Sequence, residues 1–345
     1  MFNHLIGNQR AKETLRRMLA QKRVPGALLF AGEEGLGKKL FALELARALN
    51  CQAREGVEAC GRCASCLRTG KFTLPSADDK DAFKKIIWSE HRDVGQVRAY
   101  NRAIYVDAVR DLERETNFRP VEGVARIFLI EGAENLNEAS SNALLKTLEE
   151  PPASSHLILI TSRPANLLPT IRSRCQTIRF APVAPAEVEK YLVESRQRSG
   201  EEARLAAHLS GGRPGYALNV NLDTYRAQRD AMLGVLEALT LTSDRARLLR
   251  AAEELSDAKQ KEEYEPRLHV LEVLVRDLWL LTLDASGSRL VNYDLRERLA
   301  RLTGGAGRGR PALWLARVEE LRLQLGVNVN RRIATDALFL GMASD

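Results

Sequence analysis

The residues best placed to do chemistry form a glycine-rich loop between an apolar run and a helical pattern. The loop, Gly32 to Lys39, reads Gly-Glu-Glu-Gly-Leu-Gly-Lys-Lys; Ala27–Ala31 precedes it and Leu40–Asn50 follows it. In a strand–loop–helix segment of this kind, backbone N–H groups and the positive end of the helix cradle phosphate groups. The sequence therefore predicts a phosphate-binding loop, the P-loop. Its predicted ligand-binding residues are Gly32, Gly35, Gly37, Lys38 and Lys39.

The last position of the P-loop departs from the pattern G-x-x-x-x-G-K-[ST]. Lys39 stands where the hydroxyl of a Ser or Thr would hold Mg²⁺. A second departure follows the buried strand predicted at 125–130, where a P-loop ATPase places an Asp for the Mg²⁺ shell and often a Glu that activates water. Glu131 is one carbon longer than that Asp, and Gly132 has no side chain. We therefore expect no Mg²⁺ and absent or weak ATPase activity, with the binding of ATP or ADP left open.

Four of the five cysteines lie close together, with the spacing C-x8-C-x2-C-x2-C. The two sulfurs of a C-x2-C pair can reach one metal ion across a tight turn, and four thiolates suit tetrahedral Zn²⁺. An iron–sulfur cluster also uses C-x2-C-x2-C, but the usual fourth Cys three residues later, followed by Pro, is absent. Four unrelated buried thiols are the other interpretation, which such dense clustering disfavours. The predicted ligands of a structural zinc ion are Cys51, Cys60, Cys63 and Cys66.

The composition is that of a soluble globular protein. Of the 345 residues, 45% are hydrophobic and 28% are charged. The length suits roughly two or three domains. The net charge of +7 favours polyanionic partners only weakly. No apolar run reaches the roughly 18 residues of a membrane span, and the first residues lack the apolar core of a secretory signal. We therefore expect the protein to reside in the cytoplasm.

Helical and strand patterns surround these residues. Apolar residues recur at helical spacing over 8–22, and a helix over 138–150 has Asn137 as its N-cap and is stopped by Pro151. Asp107 is the predicted N-cap of a further helix. Buried strands are predicted at 125–130, 156–161 and 177–180, with a weaker one at 84–88; residues 67–103 otherwise give little signal.

Helical patterns dominate the second half of the chain. A linker with several prolines, Phe180–Pro185, precedes three short helical patterns. From about Asp223 onward the pattern is helical almost throughout, with apolar stripes at helical spacing. The basic, glycine-rich stretch Gly304–Arg310 fits a mobile loop better than a nucleic-acid contact.

Two further stretches carry a resemblance to a known family. They are Asn142-Ala-Leu-Leu-Lys-Thr-Leu-Glu-Glu-Pro-Pro152 and Leu168-Pro-Thr-Ile-Arg-Ser-Arg-Cys175. Together with the P-loop and the cysteine insertion after it, they closely resemble the clamp-loader branch of the AAA+ ATPases, in particular its bacterial members. The resemblance runs from about Ile6 to Gly215. It implies an α/β P-loop AAA+ domain with a small helical lid, followed by an all-α C-terminal collar domain.

The resemblance also implies a division of the chain. Residues 1–179 would form the AAA+ nucleotide-binding-like core, with a zinc module at 51–66. Residues 180–222 would form the three-helix lid, and 223–345 the helical collar through which clamp-loader subunits oligomerise. The residues alone leave a second interpretation of the last segment open, an independent helical bundle that buries its own apolar stripes.

Bacterial clamp loaders contain two kinds of subunit with these motifs, one that hydrolyses ATP and one whose ATP site has decayed. Lys39, Glu131 and Gly132 depart together from the first kind, so the chain resembles the second. The alternative is a working ATPase of the gamma/tau type. The resemblance implies a non-catalytic or weakly nucleotide-binding subunit of a DNA-directed DNA polymerase holoenzyme. Its partners would be the gamma/tau and delta subunits, the sliding clamp, and primed DNA bound through its phosphates.

In an AAA+ ring each nucleotide lies at a subunit interface, where the arginine of the Ser-Arg-Cys motif reaches the neighbour's γ-phosphate. The resemblance gives this role, an arginine finger acting in trans, to Arg174, the one catalytic residue that we predict. A planar guanidinium can stabilise charge on a transferring phosphoryl group. A solvated helix arginine is the alternative, and it describes Arg172 better; Lys146 is a weaker candidate for a phosphate contact. Residues at the family's two sensor positions are Thr161, Ser162 and Arg213.

Overall fold

The structure is a computed structural model that describes residues 2–54, 56–76, 78–195, 197–257, 262–287, 289–325 and 329–345. These residues form two compact units, 1–219 and 220–345, which we describe separately. The first unit mixes helices with a sheet and the second is helical. The predicted fold class, an α/β P-loop domain followed by an all-α region, is confirmed.

A six-stranded sheet forms the centre of the first unit. Its strands are β1 (Ala27–Ala31), β2 (Ile87–Trp88), β3 (Val94–Arg98), β4 (Arg126–Glu131), β5 (Ser155–Thr161) and β6 (Gln176–Arg179). They lie in the order β2-β3-β4-β5-β1-β6, and only the β2–β3 pair is antiparallel. Leu29 of β1 lies opposite Leu159 of β5 and Thr177 of β6. The parallel strands therefore end at one edge, which is where a P-loop protein binds its ligand.

Helices cover both faces of this sheet. They are α1 (Gln9–Ala20), α2 (Lys38–Asn50), α3 (Ala64–Arg68), α4 (Val106–Thr116), α5 (Glu138–Glu149) and α6 (Pro169–Arg174). Strands β1 and β5 are buried along their whole length, as apolar runs in a parallel sheet should be. Phe30 of β1 packs in one apolar cluster with residues of α1 and α2, whereas Leu29 packs in a second cluster with residues of α4 and α5.

Strand β3 lies in the stretch 67–103, where the sequence predicts no strand at this position. It has neither a continuous apolar run nor a regular alternation, because Gly95 interrupts it and Val94, Gln96 and Arg98 fall on the same face. Glycine fits there because a Cβ atom would lie 2.4 Å from Cγ2 of Ile86. The neighbouring strand predicted at 84–88 is shorter than expected and spans Ile87–Trp88. The prediction therefore lacked the strand that brings two polar side chains to the P-loop.

Two predicted helix starts had different outcomes. Asn137 caps α5 as predicted, because its side-chain oxygen accepts a hydrogen bond from Ser140 N at 2.9 Å. The prediction for α4 was wrong, since Tyr105 occupies the N-cap position and Asp107 lies inside the first turn. A carboxylate there still suits the positive end of the helix, which is why the residue resembled a cap in the sequence.

Three short helices follow β6 in the described part of the first unit. They are α7 (Pro185–Glu194), α8 (Gly200–Leu209) and α9 (Pro214–Asn219), close to the three helical patterns in the sequence. Helix α9 contacts the P-loop directly, because Gly215 N donates a hydrogen bond of 2.8 Å to Gly35 O. A Cβ atom on Gly215 would lie 3.1 Å from that same oxygen, so the close approach favours glycine.

The second unit is a set of packed helices. They are α10 (Leu222–Glu237), α11 (Arg245–Leu255), α12 (Tyr264–Leu283), α13 (Arg296–Ala306), α14 (Arg310–Gln324) and α15 (Arg331–Ser344). Helix α12 is central and contacts α10, α13 and α14. The loop predicted at Gly304–Arg310 is shorter than expected, because α13 continues to Ala306 and α14 begins at Arg310. None of the helices in the described ranges has the length and apolar character needed to cross a membrane.

Candidate functional site

The P-loop joins β1 to α2 and has the conformation of a tight cradle. A Cβ atom on Gly32 would lie 2.5 Å from the carbonyl oxygen of Phe180, so only glycine fits there. Gly37 has φ of +82° and occupies the N-cap position of α2. The N–H groups of Lys38 and Lys39 open the helix, where no earlier turn supplies carbonyl partners, so that they can bind an anion. These are the features of the phosphate-binding loop that the sequence predicts.

Lys38, the first residue of α2, folds back over the loop. Its Nζ atom donates hydrogen bonds of 2.5 Å to the carbonyl oxygens of Gly32 and Glu33. Burial lowers the pKa of Lys38, while the charges of Glu134 and Glu34 act in the opposite direction. The loop therefore holds its own ammonium group, which can exchange carbonyl oxygens for the oxygens of a phosphate.

Lys39 points the other way, toward the ends of β3 and β4. Its Nζ lies 2.5 Å from Oε1 of Glu131 and 2.8 Å from Oε1 of Gln96. The other oxygen of Glu131, Oε2, lies 2.9 Å from Nε of Arg98. The ring of Phe72 lies beside the ammonium group, with its centroid 5.3 Å from Nζ. We call Lys39, Glu131 and Arg98 the ionic cluster, in which cations contact both oxygens of the carboxylate.

Sequence reasoning missed two members of this environment, Gln96 and Arg98. Both lie on β3, the strand that the sequence did not predict. Little signal for this strand was available, because Val94-Gly-Gln-Val-Arg98 neither alternates regularly nor forms a continuous apolar run. Gln96 is fully buried, and its Nε2 atom has no hydrogen-bond partner in the described residues. A buried polar atom beside Lys39 shows that this corner of the site is polar rather than apolar.

A cavity of about 510 Å³ opens between the P-loop and the carboxyl ends of the strands. Charged side chains in its walls are Glu34, Lys38, Lys39, Arg98, Glu131 and Glu134. Gly132 also lines the cavity and, as the sequence predicts, offers no side chain that could activate water. The structure therefore brings most of the predicted P-loop residues together around one cavity, whose charged groups are evenly divided between acids and bases.

Glu134 is held at the cavity wall by the residues at one predicted sensor position. Its Oε1 atom accepts hydrogen bonds from Ser162 N at 3.2 Å and from Ser162 Oγ at 2.5 Å. Burial raises the pKa of Glu134, but the hydrogen bonds from Ser162 and Thr161 outweigh it and lower the pKa below its usual value. Glu134 is therefore an ionised, oriented carboxylate whose other oxygen has no partner among the described residues.

A smaller and mostly apolar cavity of about 210 Å³ adjoins the first. The two cavities share Gly37, Leu40 and Gly215 in their walls. Apolar and aromatic side chains of its wall are Leu5, Ile6, Leu36, Phe41, Tyr191 and Leu218. An apolar recess beside a phosphate cradle suits a ligand that has a flat apolar group and a phosphate tail.

The four predicted zinc ligands come together at the other end of α2. Their sulfur atoms lie within 4.8 Å of one another, and the Sγ atoms of Cys51 and Cys63 are 3.9 Å apart. Zn–S bonds of about 2.3 Å in a tetrahedron place sulfur atoms roughly 3.8 Å apart. The donor set and its spacing therefore fit a zinc ion. The cluster could bind a metal ion such as zinc.

Backbone groups orient three of these sulfur atoms. Cys60 N donates to Cys51 Sγ at 3.3 Å, Cys63 N to Cys60 Sγ at 3.3 Å, and Cys66 N to Cys63 Sγ at 3.5 Å. Burial raises the pKa of Cys63, but N–H groups of Cys66 and Gln52 outweigh it and lower the pKa to about 6. Such N–H groups stabilise the thiolates that a metal ion needs as ligands.

Arg174 lies at the end of α6 and outside both cavities of its own chain. Its Nη2 atom lies 2.5 Å from Oε1 of Glu149 at the end of α5, and its Nη1 atom donates to Thr170 O at 3.0 Å. About a third of the side chain, 34%, is exposed. Arg174 therefore does not line the P-loop cavity of its own chain, and its role in trans stays a prediction. Arg172 and Lys146 are exposed, as expected.

The fold and the site define the class of protein. A mostly parallel sheet with a P-loop at its carboxyl edge makes this chain an α/β P-loop protein, and a cysteine cluster follows α2. Residues 7–184 match the sequence model of the family described as "DNA polymerase III, delta subunit". Because this match covers more than half of the 345 residues, the chain belongs to that family.

Individual relatives agree with the family. The chain is 29% identical to the DNA polymerase III subunit delta' of Escherichia coli (strain K12), over 91% of this chain and 87% of that protein. It is 26% identical to the delta' subunit of Bacillus subtilis (strain 168), over 93% of this chain and 92% of that protein. The tau subunit of Bacillus subtilis is 30% identical, but the match covers 61% of this chain and 35% of tau. The similarity to delta' subunits therefore extends along nearly the whole chain.

Proposed function

We propose that this chain is the delta prime subunit of a DNA polymerase III clamp loader, the pentamer that loads the sliding clamp onto primed DNA. In this role it binds nucleotide weakly or not at all and does not hydrolyse it. The near end-to-end similarity to delta' subunits supports the place in the clamp loader. The ionic cluster supports the absence of catalysis.

The ionic cluster is the observation that carries the non-catalytic role. Hydrolysis by a P-loop ATPase needs Mg²⁺ held by a hydroxyl and a carboxylate, and a group that orients water. Lys39 supplies an ammonium group in place of the hydroxyl, and both oxygens of Glu131 already contact cations. Gly132 supplies no group for water. The groups that meet these three requirements in a P-loop ATPase are therefore missing at the matching positions of this chain.

The chain's own contribution to catalysis is then the arginine finger. Arg174 lies at the surface, is held by a single carboxylate and by a backbone oxygen, and belongs to the Ser-Arg-Cys sequence. In the pentamer it would approach the γ-phosphate bound by the adjacent gamma/tau subunit. Its fork of N–H donors would stabilise negative charge as the phosphoryl group is transferred.

The remaining assignments follow from the same role. The cysteine cluster holds a structural zinc ion, and residues 1–179, 180–222 and 223–345 form the core, the lid and the collar. Gamma/tau and delta subunits, the sliding clamp and the phosphates of primed DNA are the partners, and the site of action is the cytoplasm.

Reconstitution tests this proposal. The purified chain is mixed with the gamma/tau-like and delta-like subunits of its own organism, and the expected result is a complex of fixed stoichiometry that hydrolyses ATP. The isolated chain should show no Mg²⁺-dependent turnover above that of its Lys38→Ala variant. Robust turnover by the isolated chain that Lys38→Ala abolishes would instead identify a gamma/tau-type ATPase. Failure to join the complex would overturn the clamp-loader role itself.

A further inference from the structure

Lys39 occupies the part of the cavity in which a P-loop enzyme holds its metal ion. In such an enzyme the metal lies between the hydroxyl at this position and a carboxylate at the end of the neighbouring strand. Here the side chain is four carbons long, and its ammonium group contacts that carboxylate directly, with Nζ 2.5 Å from Oε1 of Glu131. The residues present therefore do not fit Mg²⁺.

We propose that Lys39 acts as a built-in monovalent cation that replaces Mg²⁺, so that the P-loop cavity binds a nucleoside diphosphate or triphosphate without any metal ion. This inference deepens the proposed function, on which it rests, by naming how a non-catalytic subunit would hold its ligand. The ligand's phosphates would contact the P-loop N–H groups, Lys38 and Lys39.

The neighbours of Lys39 fix its ammonium group in place. Glu131 forms an ion pair with it, an oxygen of Gln96 accepts a hydrogen bond from it, and the ring of Phe72 lies beside it. Arg98 satisfies the second oxygen of Glu131. A divalent ion that displaced Lys39 from Glu131 would lie next to two cations, so repulsion disfavours it. A phosphate group is instead attracted, because the ionic cluster carries two positive charges and one negative charge.

The surroundings of the cluster are those of a binding site rather than of a closed core. The cavity of about 510 Å³ reaches from Lys38 to Arg98, and the apolar recess continues it on one side. Glu134, in the cavity wall, has an Oε2 atom that is unpaired among the described residues. A polar atom that lacks a protein partner beside an open cavity indicates that a ligand or water completes its hydrogen bonds.

The replacement of Mg²⁺ by the ammonium group of Lys39 also explains why the chain would lose catalysis and yet keep its P-loop. An ammonium group can neutralise phosphate charge and donate hydrogen bonds. It cannot bridge two phosphate oxygens at metal–ligand distances or polarise the leaving group as a divalent ion does. A nucleotide held in this way would therefore stay intact, and it would lie beside the hydrogen bond from Gly215 N to Gly35 O in the cavity wall.

Binding of a fluorescent ADP analogue to the isolated full chain tests the inference. Each protein is titrated in excess EDTA and again in excess Mg²⁺. The wild type should bind equally well in both, within about threefold. Lys39→Met keeps most of the length of the stem but removes the charge, and should weaken binding in EDTA by about tenfold or more. Lys85→Met, at an exposed lysine outside the cavity, is the matched control and should match the wild type.

Lys39→Ser is the variant that should gain a dependence on Mg²⁺, because it restores the hydroxyl of the P-loop pattern. This variant should bind ADP at least about tenfold more tightly in Mg²⁺ than in EDTA. The inference is overturned if the wild type binds only with Mg²⁺, if it binds in neither buffer, or if Lys39→Met binds as tightly as the wild type in EDTA. A thermal melt of each variant confirms that it is folded.

Assembly of the same proteins with gamma/tau-like and delta-like subunits separates this inference from the proposed function. If the wild type assembles but binds no ADP, the metal-free site is wrong and the clamp-loader role stands. If it binds ADP in EDTA but does not assemble, the role is wrong and the site stands.

Discussion

Helix α2 carries a candidate cation site at each end, and the two ends are built in opposite ways. At its first turn, Lys38 and Lys39 bring the chain's own cations into the P-loop cavity. At its last residue the chain turns into Cys51, the first of four sulfur ligands within 4.8 Å of one another. The start of α2 already contains positively charged side chains. The cysteine cluster after its end offers only sulfur ligands, which need a metal cation.

This contrast shows that ligand-like residues alone do not define a metal site. Glu131 lies where a metal-binding carboxylate belongs, yet cations of the same chain contact both of its oxygens. The sulfur atoms of the cysteine cluster instead lie beside one another and accept hydrogen bonds from backbone N–H groups. The deciding feature is therefore whether the protein supplies its own cation.

The largest effect is expected from removing a sulfur ligand. Cys63→Ser should abolish stoichiometric zinc and lower the free energy of unfolding of the first unit by more than about 3 kcal/mol, because metal binding contributes to folding. Elemental analysis after washing with a mild chelator, together with a denaturant titration, measures both quantities. We expect about one zinc ion per wild-type chain.

Cys175→Ala is the matched control for that experiment. Cys175 is buried with Ile171 in the second apolar cluster of the sheet and is not part of the cysteine cluster. This variant should keep its full zinc content, although it loses some packing energy. If Cys63→Ser retained its zinc, or if the wild type contained none, the two ends of α2 would not differ in the way we describe.

The second largest effect is expected at Arg174, whose positively charged side chain lies at the surface. Arg174→Ala should leave the reconstituted pentamer intact and lower hydrolysis at the one nucleotide site that it serves by about a hundredfold or more. Total turnover of the complex would fall less, because other sites keep their own arginines. Size-exclusion chromatography and a steady-state ATPase assay measure the two properties.

Arg172→Ala controls for the loss of a positive charge on the same helix. Arg172 is exposed and lies two residues earlier in α6. Its substitution should leave both assembly and turnover near the wild-type values. Equal losses in the two variants would assign the effect to surface charge rather than to an arginine finger.

The sequence predicts a site well when the residues of that site lie close together along the chain. The cysteine cluster was predictable because its four ligands fall within one short segment whose spacing is diagnostic. The P-loop was predictable for the same reason. The ionic cluster was only half predictable: Lys39 and Glu131 departed visibly from the P-loop pattern, but their contact depends on the sheet. Arg98 was missed because Gly95 obscured β3.

A smaller effect is expected at the ionic cluster. Glu131→Gln removes the carboxylate between two cations, but the side chains of Lys39 and Arg98 are 35% and 38% exposed, and solvent screens their charges. We expect the free energy of unfolding to fall by about 1 kcal/mol or less, with unchanged zinc content. A urea titration compares this variant with Glu150→Gln, which alters an exposed glutamate. A loss as large as that of Cys63→Ser would show that the cluster is a structural centre and not a ligand site.

The smallest effect is expected from substituting Glu149, the partner of Arg174. It compares an ion pair inside the cavity, Lys39–Glu131, with an ion pair at the surface, Arg174–Glu149. The Lys39–Glu131 and Arg174–Glu149 pairs have the same closest distance of 2.5 Å, but the side chain of Glu149 is 49% exposed and that of Glu131 only 17%. An exposed pair contributes about 0.5 kcal/mol, so Arg174 can leave Glu149 for a phosphate at little cost.

Glu149→Ala should therefore leave turnover of the complex within about threefold of the wild type, as should the control Glu150→Ala. A loss in Glu149→Ala equal to that in Arg174→Ala would instead make Glu149 a positioning residue that orients the guanidinium before the neighbouring subunit arrives.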